Sequence, residues 1–391
     1  MKDYDIILVI TNFRRAMVYL PILKELGLDY RIGIYRSDTD KDDSNKTRQT
    51  DGVFFELCRS LGAQFAEKYP LSTKLLFLPQ WPYAAGKIAT LKEHVNFDKC
   101  FILMGMMWGN LHMDQLEGIP VDAYLVVDRD LYYYRLSKRP EEEKLKLPTE
   151  KVIEVGLPFK GYPVFEDLDL DYIIAAPTPL SLPEPKDRAA FLKNVLRLLK
   201  HFNSEPDRIA YKPHNGDERY DYVVDKRFYQ VGTNGIAKYL EPFLMIALES
   251  LKSLCALMDA FGLKKITDAV YGLLTAFYYR RLMKKVKPLN DLTPYHNFSL
   301  ELMLPHVKKG LITGRSNTIW HGLYLKMPVY NCVDKRTIRE DPTKMNYESM
   351  KLFETPFCNG EPTFDESYFS IVREEVREKD MIEYIRNTLE G

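Results

Sequence analysis

The sequence predicts an α/β protein of two Rossmann-like halves with a helical insertion, and three observations carry that expectation. The 391 residues exceed one ordinary core and divide most simply into two domains of about 150–200 residues. Apolar runs of strand length alternate with helix-period stretches through the first 150 residues. The same alternation restarts near residue 170 and continues to about 335, the grammar of parallel sheets with crossover helices.

The first half opens with Ile6 to Ile10, a continuous apolar run after a charged start, which reads as a buried parallel strand. AMVYLPILKELGL follows with helical spacing and Gly27 as its stop, and YRIGIY is the second strand. Residues 36–51 are polar and turn-rich and read as a loop. KLLFLP, KCFILMG and AYLVVD supply further strands, each ending in a polar or glycine-containing turn. VIEVGLPFKGYPVF then crosses to the second half.

The second half begins with the strand DYIIAA. KDRAAFLKNVLRLLKHF is an amphipathic helix with Phe191, Val195, Leu198 and Leu199 near one face. RIAYKPH, GLITG and MPVYNC read as strands, and SNTIWHGLYLK as a helix. Residues 236–287 are apolar and helix-favouring, broken at Gly262 and Lys264–Lys265. Ile266, Val270, Leu273, Leu274 and Phe277 cluster on one face of the second half of that stretch. Its charges exclude a membrane span. It fits either an interfacial helix at a membrane surface or a hairpin packed on its own domain or on a second subunit of a homodimer.

Composition narrows the function classes. Hydrophobic residues make up 46% and charged residues 28%, which is globular. Basic and acidic residues number 55 each, and this balance disfavours nucleic acid as a partner. The 26 tyrosines suit interfaces and polar clefts. Five cysteines without metal-ligand spacing, and an N-terminus running straight into a strand, predict reduced thiols and a cytoplasmic protein, extending to the inner face of the cytoplasmic membrane.

Two motifs carry candidate chemistry. Tyr211-Lys212-Pro213-His214-Asn215-Gly216-Asp217 lies at the carboxyl end of a strand, where open α/β sheets bind ligands. There Lys212 offers charge and His214 a directional donor to a phosphate. Gly314-Arg315-Ser316-Asn317-Thr318 lies between a strand and a helix, where Ser, Asn and Thr either cap the helix or place donors at its positive end. His321, one turn further on, reads as a packed side chain.

The two motifs together resemble the paired His-Pro and Ser-Ser/Thr signatures of bacterial GT-B sialyltransferases and the related Kdo and capsule transferases. The resemblance covers residues 170–235 and 296–335. Asn215 stands at the family's proline, and Asn317 separates Ser316 from Thr318. It implies a GT-B fold. Residues 1–155 would form an acceptor domain and 156–335 a nucleotide-sugar donor domain with the insertion 236–287. Residues 336–391 would form a helical tail returning to the first domain.

It also implies a glycosyltransferase that moves sialic acid or Kdo from a CMP-sugar, or another nucleotide-sugar, to a glycan or glycolipid. Lys212, His214, Arg315, Ser316, Asn317 and Thr318 would hold the donor, with no metal and no cofactor beyond that co-substrate. The base would come from the first half, where Asp128, Asp130 and His112 are the candidates. Arg14 and Arg15 would hold an anionic acceptor or donor carboxylate. Two alternatives stay open. One is a UDP- or CDP-dependent relative, a glycerophosphotransferase or an epimerase. The other is a non-catalytic scaffold recruited to a membrane.

Overall fold

The computed structural model describes residues 2–10, 19–36, 54–66, 69–78, 91–104, 120–137, 148–158, 160, 164–165, 168–177, 182, 184–213, 236–288, 300–314, 318–333 and 364–391. Their elements bear out the predicted double-Rossmann plan, because both sheets are parallel throughout and both follow the same winding.

The first sheet has seven strands: β1 (Tyr4–Ile10), β2 (Ile32–Arg36), β3 (Gln64–Phe65), β4 (Leu71–Leu78), β5 (Val95–Leu103), β6 (Ala123–Val126) and β7 (Val152–Glu154). Their spatial order is β3-β2-β1-β4-β5-β6-β7. The chain winds outward from β1 in one direction, then returns to add β4 on the other side. That is the doubly wound order, with its switch point between β1 and β4. Ile6, Ile7 and Leu8 have no exposed surface, as befits a central strand covered on both faces. Between the strands, α1 (Tyr19–Leu26) buries Leu20, Ile22, Leu23 and Leu26, and α2 (Arg129–Ser137) follows β6.

The second sheet repeats the pattern with β8 (Leu170–Ala175), β9 (Ile209–Lys212), β10 (Lys287–Pro288), β11 (Val307–Thr313) and β12 (Val329–Asn331). Their order is β10-β9-β8-β11-β12, so the switch point lies between β8 and β11. Helix α3 (Pro185–Leu198) covers one face with Phe191, Leu192, Val195 and Leu198. The insertion is a helical pair, α4 (Ile236–Ala260) and α5 (Lys264–Met283), turning through Gly262. Val270, Leu274 and Phe277 of α5 are buried in the core it forms with α3 and α4, but Ile266 is exposed, because it lies in the first turn beyond the reach of the domain. Helix α6 (Thr318–Tyr324) covers the opposite face.

The tail returns to the first sheet. In α7 (Met381–Glu390), Tyr384 packs its ring 5.5 Å from that of Phe101, and Glu390 accepts a bond from Tyr30. Just before it, the tail crosses the linker between the sheets. The Tyr324 hydroxyl accepts from the Leu157 amide at 3.0 Å and donates to the Val376 carbonyl at 2.9 Å. Arg377 donates to the last carbonyls of α6, those of Leu323 and Tyr324, at 3.1 and 3.2 Å. Gly156 sits inside this crossing at φ +71°. A Cβ there would lie 2.6 Å from the Tyr324 hydroxyl and 2.7 Å from the Lys379 carbonyl, so only glycine fits.

Candidate functional site

The carboxyl edge of the second sheet is built by register. Ala175 pairs with Lys212 on one side and with Thr313 on the other, and Thr313 pairs with Asn331. Lys212, Ala175, Thr313 and Asn331 therefore form one row across four strands. Strands spaced about 4.8 Å apart put the Lys212 and Thr313 backbones roughly 10 Å from each other, astride the switch-point strand.

Side chains two residues apart on a strand share a face. Ala210, Leu311 and Val329 belong to the core that contains Trp320 and Leu323 of α6, and the row Lys212–Thr313–Asn331 lies one step further along that face. All three polar members are buried, at 2%, 0% and 4% exposure.

Each is held locally. The Lys212 carbonyl accepts from the Ala176 amide at 2.9 Å, fixing the strand end. Thr313 Oγ1 donates to the Ala175 carbonyl at 3.2 Å. Asn331 Oδ1 accepts from the Val333 amide at 3.1 Å, and its Nδ2 is a buried donor without an acceptor among the described residues. A buried donor of that kind costs about 1–3 kcal/mol unless a ligand or water meets it. Gly314 closes the edge. A Cβ there would meet Val333 Cγ2 at 2.7 Å and Pro177 Cβ at 3.1 Å, so the turns after β8, β11 and β12 converge on this point. Three buried polar side chains, one of them a lysine, thus gather where the winding opens a crevice.

Thr318 begins α6 and is half-buried. That helix is seven residues long, so Lys212 is the stronger positive feature of the edge. His321 is buried, with Nδ1 3.9 Å from the Glu301 carboxylate, and is packed as the sequence suggested. His214, Arg315, Ser316 and Asn317 lie outside the described residues, as do Arg14, Arg15 and His112.

Asp128 and Asp130 stand at the carboxyl edge of the first sheet, after β6. Asp128 Oδ1 accepts from the Leu131 amide at 2.9 Å, in the first turn of α2, and from Arg373 at 3.2 Å. Arg373 also reaches Glu154 at 2.8 Å and Asp130 at 3.3 Å. One guanidinium from the tail therefore binds three carboxylates, beside an open pocket of about 470 Å³ that Arg129, Ile153 and Lys379 help to line. Asp130, 74% exposed, is the most accessible of the three. Sequence reasoning missed Arg373, which is remote from β6 and β7 along the chain and carries no motif. It also missed Asn331, whose only signal was an amide at the end of an apolar strand.

Among the described residues no cluster of His, Cys, Asp and Glu suits a metal ion. Cys58, Cys100, Cys255 and Cys332 are buried free thiols, and burial pushes Cys58 up to about 12. No helix of the described residues is long and apolar enough to cross a membrane.

The winding and this edge define a two-domain, double-Rossmann α/β protein with a polar row at the second switch point. No family model matches the sequence, and no curated protein matches it. Among solved structures the chain is similar to the S. aureus MnaA–UDP co-structure, at 10% identity and a TM-score of 0.40 over 100% of this chain and 91% of that one. It is similar to the Methanocaldococcus jannaschii UDP-GlcNAc 2-epimerase in complex with UDP-GlcNAc and UDP, at 10% identity and a TM-score of 0.43 over 99% of both chains. It is also similar to the wall teichoic acid polymerase TagF, at 10% identity and a TM-score of 0.38 over 99% of this chain and 89% of that one.

Proposed function

We propose that the chain is a nucleotide-sugar-dependent enzyme of the GT-B type, a glycosyltransferase whose donor phosphate sits at the carboxyl edge of the second sheet. The observation that supports this most is the buried row Lys212–Thr313–Asn331 beside the switch-point strand. The carboxyl edge beside the switch-point strand is where open α/β sheets receive anionic ligands, and a lysine placed there adds its charge to that binding.

As the bond between sugar and phosphate breaks, charge grows on the departing nucleotide, and a fixed ammonium in a water-poor edge stabilises that charge. His214, Arg315, Ser316, Asn317 and Thr318 complete the donor site in this reading. The donor is a CMP-sugar carrying an acidic sugar such as sialic acid or Kdo, and the acceptor is a glycan or glycolipid. The acceptor hydroxyl gives its proton to a base from the first sheet, with His112, Asp128 and Asp130 as the candidates and Arg14 and Arg15 beside them as anion holders. No metal enters the step, because protein cations carry the charge compensation.

Thermal melting of the native chain with CMP, UDP, CDP and GDP tests this. A nucleotide at 100 times its dissociation constant adds about 2.7 kcal/mol of stability. CMP is expected to raise the melting temperature most, and Lys212→Met, which keeps the volume, is expected to abolish the rise. A rise with UDP alone transfers the assignment to a UDP-sugar enzyme, an epimerase included. No rise with any nucleotide sinks it.

A further inference from the structure

Helix α4 carries apolar residues on two opposite sides, yet among the described residues only one of those sides is covered. Met245, Leu248 and Cys255 are buried in the second-domain core, and Glu249 bonds Lys193 of α3. The other side is open: Phe243 is 72% exposed and Phe261 74%, and Leu244, Ile246, Leu251, Leu254 and Leu257 are exposed between them. Apart from Leu28 and Tyr69, every exposed large hydrophobic residue among those described belongs to α4 or to the turn and first helical turn after it.

The spacing of the open side is specific. Phe243, Ala247, Ser250, Leu254, Leu257 and Phe261 alternate steps of four and three, the 3.5-residue repeat of a coiled-coil seam. The seam matches itself when reversed about residue 252. Phe243 then faces Phe261, Ala247 faces Leu257, and Ser250 faces Leu254, so small residues oppose large ones in the two inner layers. The positions flanking the seam are Leu244, Ile246, Leu251, Ser253, Met258 and Ala260, none of them charged. No like charges would meet in the reversed pair. A self-matching patch of this kind is what a two-fold, isologous contact requires.

We propose that the outward face of α4 is the seam of an antiparallel homodimer of this chain. The area is sufficient. At about 170–200 Å² for a fully exposed Leu, Ile or Phe side chain, the open residues of α4 present roughly 700 Å² per protomer, near the ~800 Å² per partner of a standard interface. A lipid surface fits less well. Interfacial helices set a cationic polar face against their apolar one. The stretch from Phe243 to Phe261 instead carries Glu249, Lys252 and Asp259, and Lys264 and Lys265 stand at one end only.

Sedimentation of the full chain at micromolar concentrations tests the dimer. The native chain is expected to sediment at twice its chain mass. Leu254→Glu is expected to raise the dimer dissociation constant about 100-fold or more, since each dimer would bury two such charges. The site is open in the protomer, so the variant keeps its circular dichroism. Ser250→Arg acts as a second disrupting variant, and Lys252→Glu, on the covered side, leaves the dimer intact. In mixtures, chains carrying Ala247→Cys are expected to form a disulfide with chains carrying Leu257→Cys and not with themselves. A monomeric native chain, or a dimer indifferent to both disrupting variants, overturns the proposal. So does flotation of the native chain with anionic vesicles that Leu254→Glu abolishes, since the stripe would then belong to lipid.

Discussion

Replacing Tyr324 with Phe removes one oxygen from the crossing of linker, α6 and tail, and the structure sets the size of the effect. That oxygen accepts from Leu157 and donates to Val376, and Tyr324 is fully buried. The ring stays, so packing against Trp320 is kept. What is lost is two hydrogen bonds, leaving an amide and a carbonyl buried and unmet. At about 1–3 kcal/mol for each unmet group, with partial relaxation, the loss is about 2–4 kcal/mol. An unfolding entropy near 2.1 cal/mol/K per residue gives roughly 0.8 kcal/mol/K for the whole chain, so the melting temperature should fall by about 2–5 °C.

The pH dependence supplies a second reading. Burial pushes the Tyr324 hydroxyl up to about 12 from an ordinary value of 10.0. The folded state therefore holds this proton more tightly than the unfolded chain does. Its contribution is complete below pH 10 and is lost as pH rises from 10 towards 12. Calorimetry at pH 7 and at pH 11 should show a gap between native and variant chains that narrows at the higher pH. A gap below about 1 °C at pH 7 would refute the argument that this hydroxyl pins the linker to the tail.

Two further substitutions follow from the same geometry. Gly156→Ala forces a left-handed conformation on alanine and drives a methyl group against the Tyr324 hydroxyl and the Lys379 carbonyl. It should cost about 2 kcal/mol or more in urea titrations, and its effect should be non-additive with Tyr324→Phe. Asp171 belongs to β8, where burial raises its carboxyl, but bonds from Lys309 of the neighbouring β11 and from Ser204, with the charge of Arg208, outweigh burial and hold it below the ordinary value. Its stabilisation is full above pH 3.8 and fades as pH falls below that. Asp171→Asn should cost about 1 kcal/mol at pH 7, because Lys309 and Arg208 are well exposed and solvent screens them, and the difference should vanish in acid melts.

Most of the fold was legible because its strands are buried on both faces, and such strands announce themselves as unbroken apolar runs. Ile6–Ile10, Ile173–Ala175 and Leu311–Thr313 all fall within observed strands. The elements that escaped notice are those whose structure comes from partners rather than from pattern. Gln64–Phe65 and Lys287–Pro288 are two-residue edge strands, too short for any periodicity to register. Ile266 followed the helical stripe in sequence, yet periodicity fixes only a direction around the helix, not how far along it the domain extends.

The candidate site divides along the same line. Lys212 and Thr318 were singled out because a strand end and a helix start are local features. The row linking Lys212 to Thr313 and Asn331 depends on β9 and β11 flanking β8 and on β12 flanking β11, and an order of strands is a global fact that no local motif encodes. The same holds for Arg373. Its side chain has meaning only once the tail has crossed from the second sheet to the first, where it gathers Asp128, Asp130 and Glu154 from two neighbouring strand ends. A carboxylate that caps a helix and also binds a guanidinium has few lone pairs left for an acceptor hydroxyl, so any base role for Asp128 would require Arg373 to withdraw. The tail segment that carries Arg373 also carries Val376 and Arg377 against α6, the helix that follows β11. The two edges are therefore tied through one stretch of about five residues. If the proposed donor binds at the second edge and shifts α6, the contacts of Val376 and Arg377 are the route by which the three carboxylates of the other edge would respond.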